Sequence, residues 1–347
     1  MTYRISAPLR MLAIVICTLA VTSFPASPAR AWGAKGHHII NGVAAQTLPA
    51  QIPAFMRSRQ AVAELTYLGL ELDLLKGAGT EWDADLDPGH YVDLRDDGTV
   101  VGALKLSALP PTREAYDTLL RAHGSNQYAA GFLPYSIVQG WEQLRMMFAY
   151  WRVDDYEARH APAARLRAIA ASRRVIDERI VLSTAGIWGH YVADASQPLH
   201  VTVHFNGWGK YPNPNGYSQS EHFHDLFETD AVDRFVTSAD VVKRLPALAV
   251  TPSSHLAGDA QVLTAVEHYL AQSNATVVQL YRIGKSNGFR TGTPQARAFL
   301  AERLAFGAGE LRSLIVWAWF DSLNETIGDD APQRVRDILN GAPYKGF

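Results

Sequence analysis

Residues Ile187–Val203 read IWGHYVADASQPLHVTV. His190 and Asp194 lie four apart, so on a helix they project from one face, one turn from each other. His200 follows just beyond Pro198. Imidazole nitrogen and carboxylate oxygen are the usual zinc ligands where cysteine takes no part. A lone H-x-x-x-D also suits a helix with one buried, hydrogen-bonded histidine and a surface aspartate. Here the pair interrupts a stretch of Tyr, Val and Ala, which favours the ligand reading.

Three further elements have similar chemistry. In SEHFHDLFET, His224 and Glu228 repeat the four-residue spacing. His222 competes for the same role, but only His224 has a carboxylate one helical turn on. Taken alone, this pair also fits a short amphipathic helix with a surface ion pair. Upstream, Asp83-Ala-Asp85-Leu-Asp87-Pro-Gly-His90 is preceded by Asp73. The glycine and terminal Glu of a calcium loop are missing, so the choice is between a ligand-bearing segment and an acidic loop. The last element is Trp32-Gly-Ala-Lys-Gly-His37-His38.

The residues before Trp32 give that element its meaning. Met1–Arg10 holds Arg4 and Arg10 and no acid, Met11–Phe24 is mostly apolar, and Ala29-Arg30-Ala31 is an A-x-A site. This is the pattern of a secretory signal, cut after Ala31. The apolar run is shorter than the roughly 18 residues a spanning helix needs. Cleavage would free the α-amino group of Trp32, which titrates near pH 8 and, once deprotonated, can chelate a metal together with its own carbonyl oxygen. The expected product, residues 32–347, is secreted or periplasmic, with no stable membrane association.

Cleavage also changes the composition. The full chain of 347 residues has 32 basic and 34 acidic side chains, 12 histidines and one cysteine, Cys17. Losing residues 1–31 removes Arg4, Arg10 and Arg30, so 29 bases face 34 acids for a net charge of −5; it also removes Cys17 and keeps every histidine. Disulfides, thiol catalysis and cysteine zinc sites are thereby excluded. Net acidity rules out gripping nucleic acid through overall positive charge. H-E-x-x-H, G-x-S-x-G, the P-loop and G-x-G-x-x-G are all absent.

Most of the chain reads as helix: Gly42–Leu48, Ala54–Leu70, Ser136–Arg152, Ala164–Ala195, Asp259–Arg282 and Thr293–Ser322, with shorter candidates at Asp225–Phe235 and Ala331–Leu339. Tyr91–Leu106 is less helical, with Asp96-Asp97-Gly98 as a hairpin-type turn. Trp208–Ser220 and Val250–Ser254 read as loops. No repeat or linker divides the chain, so one mainly α domain is expected.

Together, the four elements resemble the S1/P1 nuclease family, zinc-dependent phosphodiesterases related to bacterial zinc phospholipase C. The resemblance runs from Trp32 to about Glu228, on W-G-x-x-G-H, H-Y-V-D, H-x3-D-x-x-Q-P-L-H and H-x3-E in family order. It implies a single-domain helical phospholipase C/P1 nuclease-like fold with three zinc ions in a cleft. The first zinc would take Asp73, His90, His190 and Asp194; the second His200, His224 and Glu228; the third His37 with the amino and carbonyl groups of Trp32. Asp194 would bridge two ions, and Asp73 would also act catalytically by orienting the attacking water. Asp83, Asp85 and Asp87 stand as rivals to Asp73. Tyr91 and Asp93 would stack on and hydrogen-bond a nucleobase.

Two departures stand out. Glu228 replaces the aspartate frequent in the nucleases, a feature shared with the phospholipase branch, and the disulfides of eukaryotic members cannot form. The implied activity is endonucleolytic hydrolysis of single-stranded DNA and RNA to 5′-phosphates by a monomer, with 3′-nucleotidase activity as an extension. The alternatives are a phospholipase C acting on phosphatidylcholine and a non-enzymatic exported zinc-binding protein.

Overall fold

Each long segment with apolar residues at three- and four-residue spacing folds as helix, though not always with the expected ends. The computed structural model describes residues 32–76, 83–248 and 259–346. The expected leader (1–31) and the expected Val250–Ser254 loop lie outside the described residues. Seven helices position the site: α1 (Ala34–Gln46), α2 (Arg59–Leu68), α3 (Glu71–Leu75), α4 (Leu133–His160), α5 (Ala164–Asp194), α6 (Asp259–Asn274) and α7 (Pro294–Asp321). Among the described residues, strand is confined to two two-stranded antiparallel ribbons, Thr99–Val100 with Leu104–Lys105 and Thr326–Ile327 with Gln333–Arg334. The Asp96–Gly98 turn forms as expected: Gly98 takes φ +76° and the amide of Arg95 donates to the carbonyl of Thr99 at 2.8 Å.

The three-residue connection Ala161–Ala163 folds α4 and α5 into a hairpin of long helices. Helix α1 packs against α2, α5 and α7 and buries most of its surface, including Ile39, Ile40 and Val43. Asn41, also buried, donates to the carbonyls of Leu65 (3.1 Å) and Gly186 (2.9 Å), which ties α1 to α2 and α5. Gly189 permits this contact, since a Cβ there would meet the Asn41 side chain at 2.8 Å. One apolar core runs from Trp32 to Trp319, and a small second cluster joins α4 to the C-terminal segment through Val153, Ile327 and Ile338.

Four departures from the sequence reading have local causes. Helix α1 starts at Ala34, eight residues before the expected Gly42, because Gly36 lets the helix close on Trp32; a Cβ there would meet Trp32 Cβ at 2.8 Å. The expected 54–70 helix breaks at Ser58, which is extended and caps α2 by accepting from the amide of Ala61. The expected 259–282 helix ends at Asn274. There the Thr276 hydroxyl donates to the Ser273 carbonyl and the Asn274 amide to the Val201 carbonyl, both at 2.7 Å, before helix resumes over Val277–Lys285. Within 331–339, Gln333 and Arg334 pair as strand, and helix is limited to Val335–Leu339.

Candidate metal centre

The last turns of α5 are mostly buried, with only Ile187 and Tyr191 partly open, and His190 and Asp194 project into the protein rather than into solvent. The helix ends at Asp194, and Gln197 is extended, as the residue before a proline must tend to be. Pro198–Val201 then forms a short 3-10 turn that turns His200 back toward the same interior. Its Nδ1 lies 2.8 Å from the carbonyl of His90. His90 closes the turn Asp87–His90, and His37 lies on the second turn of α1. His224 and Glu228 come from a helical segment with a π-helical turn at Leu226–Asp230, and both are buried, whereas His222 is exposed. Asp73 is on α3, directly after α2.

These eight side chains converge. His37, His190 and Asp194 form one set able to hold a metal ion, Asp73, His90 and His190 a second, and His200, His224 and Glu228 a third; within each set the ligand atoms lie within 4.8 Å of one another. His190 belongs to two of the sets. The rings of His37 and His190 stack at 3.9 Å. His90 Nδ1 is 3.0 Å from both Asp194 Oδ2 and His190 Nε2. His190 Nδ1 donates to the Gly69 carbonyl at 2.9 Å, which leaves Nε2 as the lone-pair atom facing the cluster. Of the four candidate aspartates, Asp73 is the one brought here, 3.7 Å from His190 Nε2 and 3.9 Å from His37 Nε2. Asp85 is exposed and Asp87 half-buried, and neither joins a ligand set among the described residues.

The electrostatics suit a cation. Several pairs lie at ion-pair distance, such as His90 with Asp194 at 3.0 Å. Burial nonetheless outweighs their attraction and favours the neutral form of both partners. Burial pushes His37, His90 and His200 well below the ordinary histidine range and His224 down to about 4. It pushes Asp194 and Glu228 well above the carboxylate range, with Asp73 adding to the effect on Asp194. Neutral imidazole is the form that ligates a metal, and a bound cation would restore the carboxylates to anions. Both ring nitrogens of His37, Asp194 Oδ1, His200 Nε2 and Glu228 Oε1 are buried without a hydrogen-bond partner among the described residues. Such groups are costly to leave unmatched.

Two contributors, Gln197 and Lys76, are not singled out by the sequence, and Trp32 gains contacts that the sequence does not foretell. Gln197 donates to Glu228 Oε2 at 3.0 Å and sits 2.9 Å from His224 Nε2, while its own carbonyl accepts from the amide of Leu199. Its place in Q-P-L-H was the available clue. Lys76, one residue past α3, acts electrostatically on both halves of the cluster: its charge lowers His90, His200 and His224 and opposes the rise of Asp194 and Glu228. Trp32 is fully buried, and its indole donates to the carbonyl of Ala193 (3.1 Å) and the hydroxyl of Ser196 (2.9 Å). That contact anchors residue 32 on either side of Asp194 in sequence.

Tyr91 and Asp93 follow His90 along a segment held by backbone bonds from Val92 to His200 and from Asp93 to Ala130. The Tyr91 hydroxyl donates to the Tyr128 carbonyl at 3.1 Å, and burial with the nearby Asp93 pushes it up to about 12. Burial pushes the Asp93 carboxyl up to about 7. A carboxyl raised in the folded state binds protons there that the unfolded chain, near 3.9, has already released. Its contribution therefore falls as pH rises from about 4 through 7. Asp93→Asn is expected to raise the melting temperature at pH 8 and to leave it nearly unchanged at pH 4; equal effects at both pH values would contradict a raised Asp93.

In comparison with known proteins, no protein-family model and no curated protein matches the chain.

Proposed function

We propose that residues 32–347 form an exported, zinc-dependent phosphodiesterase that hydrolyses single-stranded DNA and RNA to 5′-phosphate products, as the S1/P1 nuclease family does. The observation that carries this reading is the convergence of five histidines and three carboxylates in one buried cluster, in which several ligand atoms have no hydrogen-bond partner. The donor set is all nitrogen and oxygen, which suits zinc. On the family pattern His90, His190, Asp73 and Asp194 would hold one ion, His200, His224 and Glu228 a second, and His37 with the Trp32 terminus a third.

When bound, zinc supplies Lewis acidity toward a phosphoryl oxygen and brings the pKa of water toward 7. The chain's own groups do the rest. Asp73, the least enclosed of the cluster carboxylates, accepts a hydrogen bond from the attacking water and aligns it with phosphorus. Gln197 fixes Glu228 and His224 in place, and the Gly69 and His90 carbonyls fix the tautomers of His190 and His200. Lys76 brings positive charge for the phosphodiester, so a chain of net negative charge still attracts an anionic substrate locally. Tyr91 and Asp93 receive a base, and an unstacked single strand can present one where a duplex cannot.

The deciding experiment quantifies zinc on protein beginning at Trp32 and assays single-stranded DNA, RNA, duplex DNA and phosphatidylcholine side by side. The expected result is three zinc ions per chain, single strands cut faster than duplex, and loss of activity on chelation. Turnover of phosphatidylcholine without nucleic acid cleavage would select a phospholipase C, and bound zinc with no turnover would select a non-enzymatic zinc-binding protein.

A further inference from the structure

A groove of about 430 Å³ runs between α4 and α5 beside the metal cluster. Five neutral hydrogen-bonding side chains line it: Ser136, Gln139 and Gln143 from one face of α4, and Ser183 and Thr184 from α5. Tyr191, two turns further along α5, is both groove wall and cluster neighbour, its ring 5.2 Å from that of His90. Gly89 explains how the two spaces share that wall. A Cβ there would meet Ser136 Oγ at 3.0 Å, Phe132 at 3.2 Å and Tyr191 at 3.4 Å, so these three groove residues close directly on the residue before His90. Arg113 also lines the groove and holds its guanidinium 4.2 Å over the Phe132 ring; Asp85 supplies the one acidic side chain of the lining.

We propose that this groove binds the nucleotides of a single strand that lie beyond the two joined by the scissile phosphate, with Arg113 contacting a phosphate and the Gln and Ser/Thr side chains contacting bases and sugars. The proposal rests on the phosphodiesterase reading above and extends it to the length of substrate recognised. From Ser183 to Tyr191 the helix rises about 12 Å, which accommodates two or three nucleotides at roughly 3.4 Å or more each. The lining argues for this occupant. An acyl chain would strand five polar side chains against hydrocarbon, which is costly. The lining is mixed: Leu86, Ile187 and Trp188 offer apolar faces to bases, while one guanidinium and several amide and hydroxyl groups suit a chain with a phosphate at each step and polar edges between. Phe132 adds an aromatic surface already stacked with Arg113, the kind of platform unpaired bases use.

The test compares zinc-loaded wild type with Arg113→Gln and Gln139→Glu on a dinucleotide and on a single-stranded decanucleotide. Both positions are exposed, and melting temperatures confirm that the variants fold. Loss of one charge-assisted contact, or one like charge set against the strand, is expected to reduce the decanucleotide-to-dinucleotide ratio of kcat/KM by about tenfold in each variant. Ratios within twofold of wild type in both variants overturn the groove assignment while leaving the reading of the metal centre standing. A wild-type protein that cuts neither substrate overturns both.

Discussion

Replacing His190 by alanine is expected to lower kcat/KM toward a single-stranded oligonucleotide by roughly 10³-fold and to strip zinc from the protein. Among the described residues, no other side chain belongs to two of the ligand sets. Its Nε2 faces His90, Asp194 and Asp73 at 3.0, 3.4 and 3.7 Å, and its Nδ1 is fixed by Gly69. Without it, Asp73 and Asp194 lose the neutral donor between them, and their mutual repulsion is less well offset by whatever metal remains. The variant also leaves the Gly69 carbonyl without this donor and opens a cavity, at a cost of about 1–3 kcal/mol. Loss of fold must therefore be separated from loss of chemistry. His204 provides that control: it is fully buried, bonded to the Trp208 carbonyl and Asp96, and belongs to no ligand set. His204→Ala should reduce the melting temperature comparably yet retain zinc and most activity. Elemental analysis, calorimetry and initial rates on the three proteins decide the matter. An H190A protein with full zinc content and wild-type rates would remove the shared-ligand account.

How much of this was legible in the sequence depended on how local each signal was. His190 with Asp194 and His224 with Glu228 were readable because four residues is one helical turn, and both pairs did fold to one face and inward. The mainly α character was readable for the same reason. The breaks were not, because each is decided by a partner distant in sequence or by a side chain turning onto the backbone. Asn274 ends α6 where it reaches Val201, 73 residues away, and Ser58 caps α2 where spacing alone favours a continuous helix. The helix at Ala34 depends on Trp32 packing under Gly36, a tertiary contact that overrides weak local propensity. Asp73 could be preferred over Asp83, Asp85 and Asp87 only through the family pattern; the fold distinguishes them because α3 follows directly on the Gly69 turn that His190 holds. Gln197 had only its place in Q-P-L-H and Lys76 had no pattern at all, since an amide or an ammonium near a ligand set has no required spacing. The groove was equally invisible, because its two walls lie on helices whose lining residues are some 45 apart in the chain.

In a protein made to begin at Trp32, adding one alanine before it is expected to cost one zinc per chain and to slow hydrolysis by on the order of 10²-fold, with little change in metal-free stability. The indole of Trp32 is locked by Ala193 and Ser196, and Gly36 closes against its Cβ, so residue 32 is held in place whether or not anything precedes it. What the extension changes is chemical. A free α-amine that has lost its proton offers a lone pair; the same nitrogen in a peptide bond is a planar amide whose lone pair is delocalised. His37 then keeps only its side-chain set with His190 and Asp194, and both its buried ring nitrogens remain without a hydrogen-bond partner. The sign of the pH dependence follows. Because the amine titrates near pH 8, occupancy of this ion should strengthen as pH rises toward that value in the protein beginning at Trp32, and the extended protein should lack that component. Zinc titrations at pH 6 and pH 8, run on both proteins alongside rate measurements, test each part separately. Full zinc occupancy and full activity in the extended protein would confine the metal centre to side chains alone.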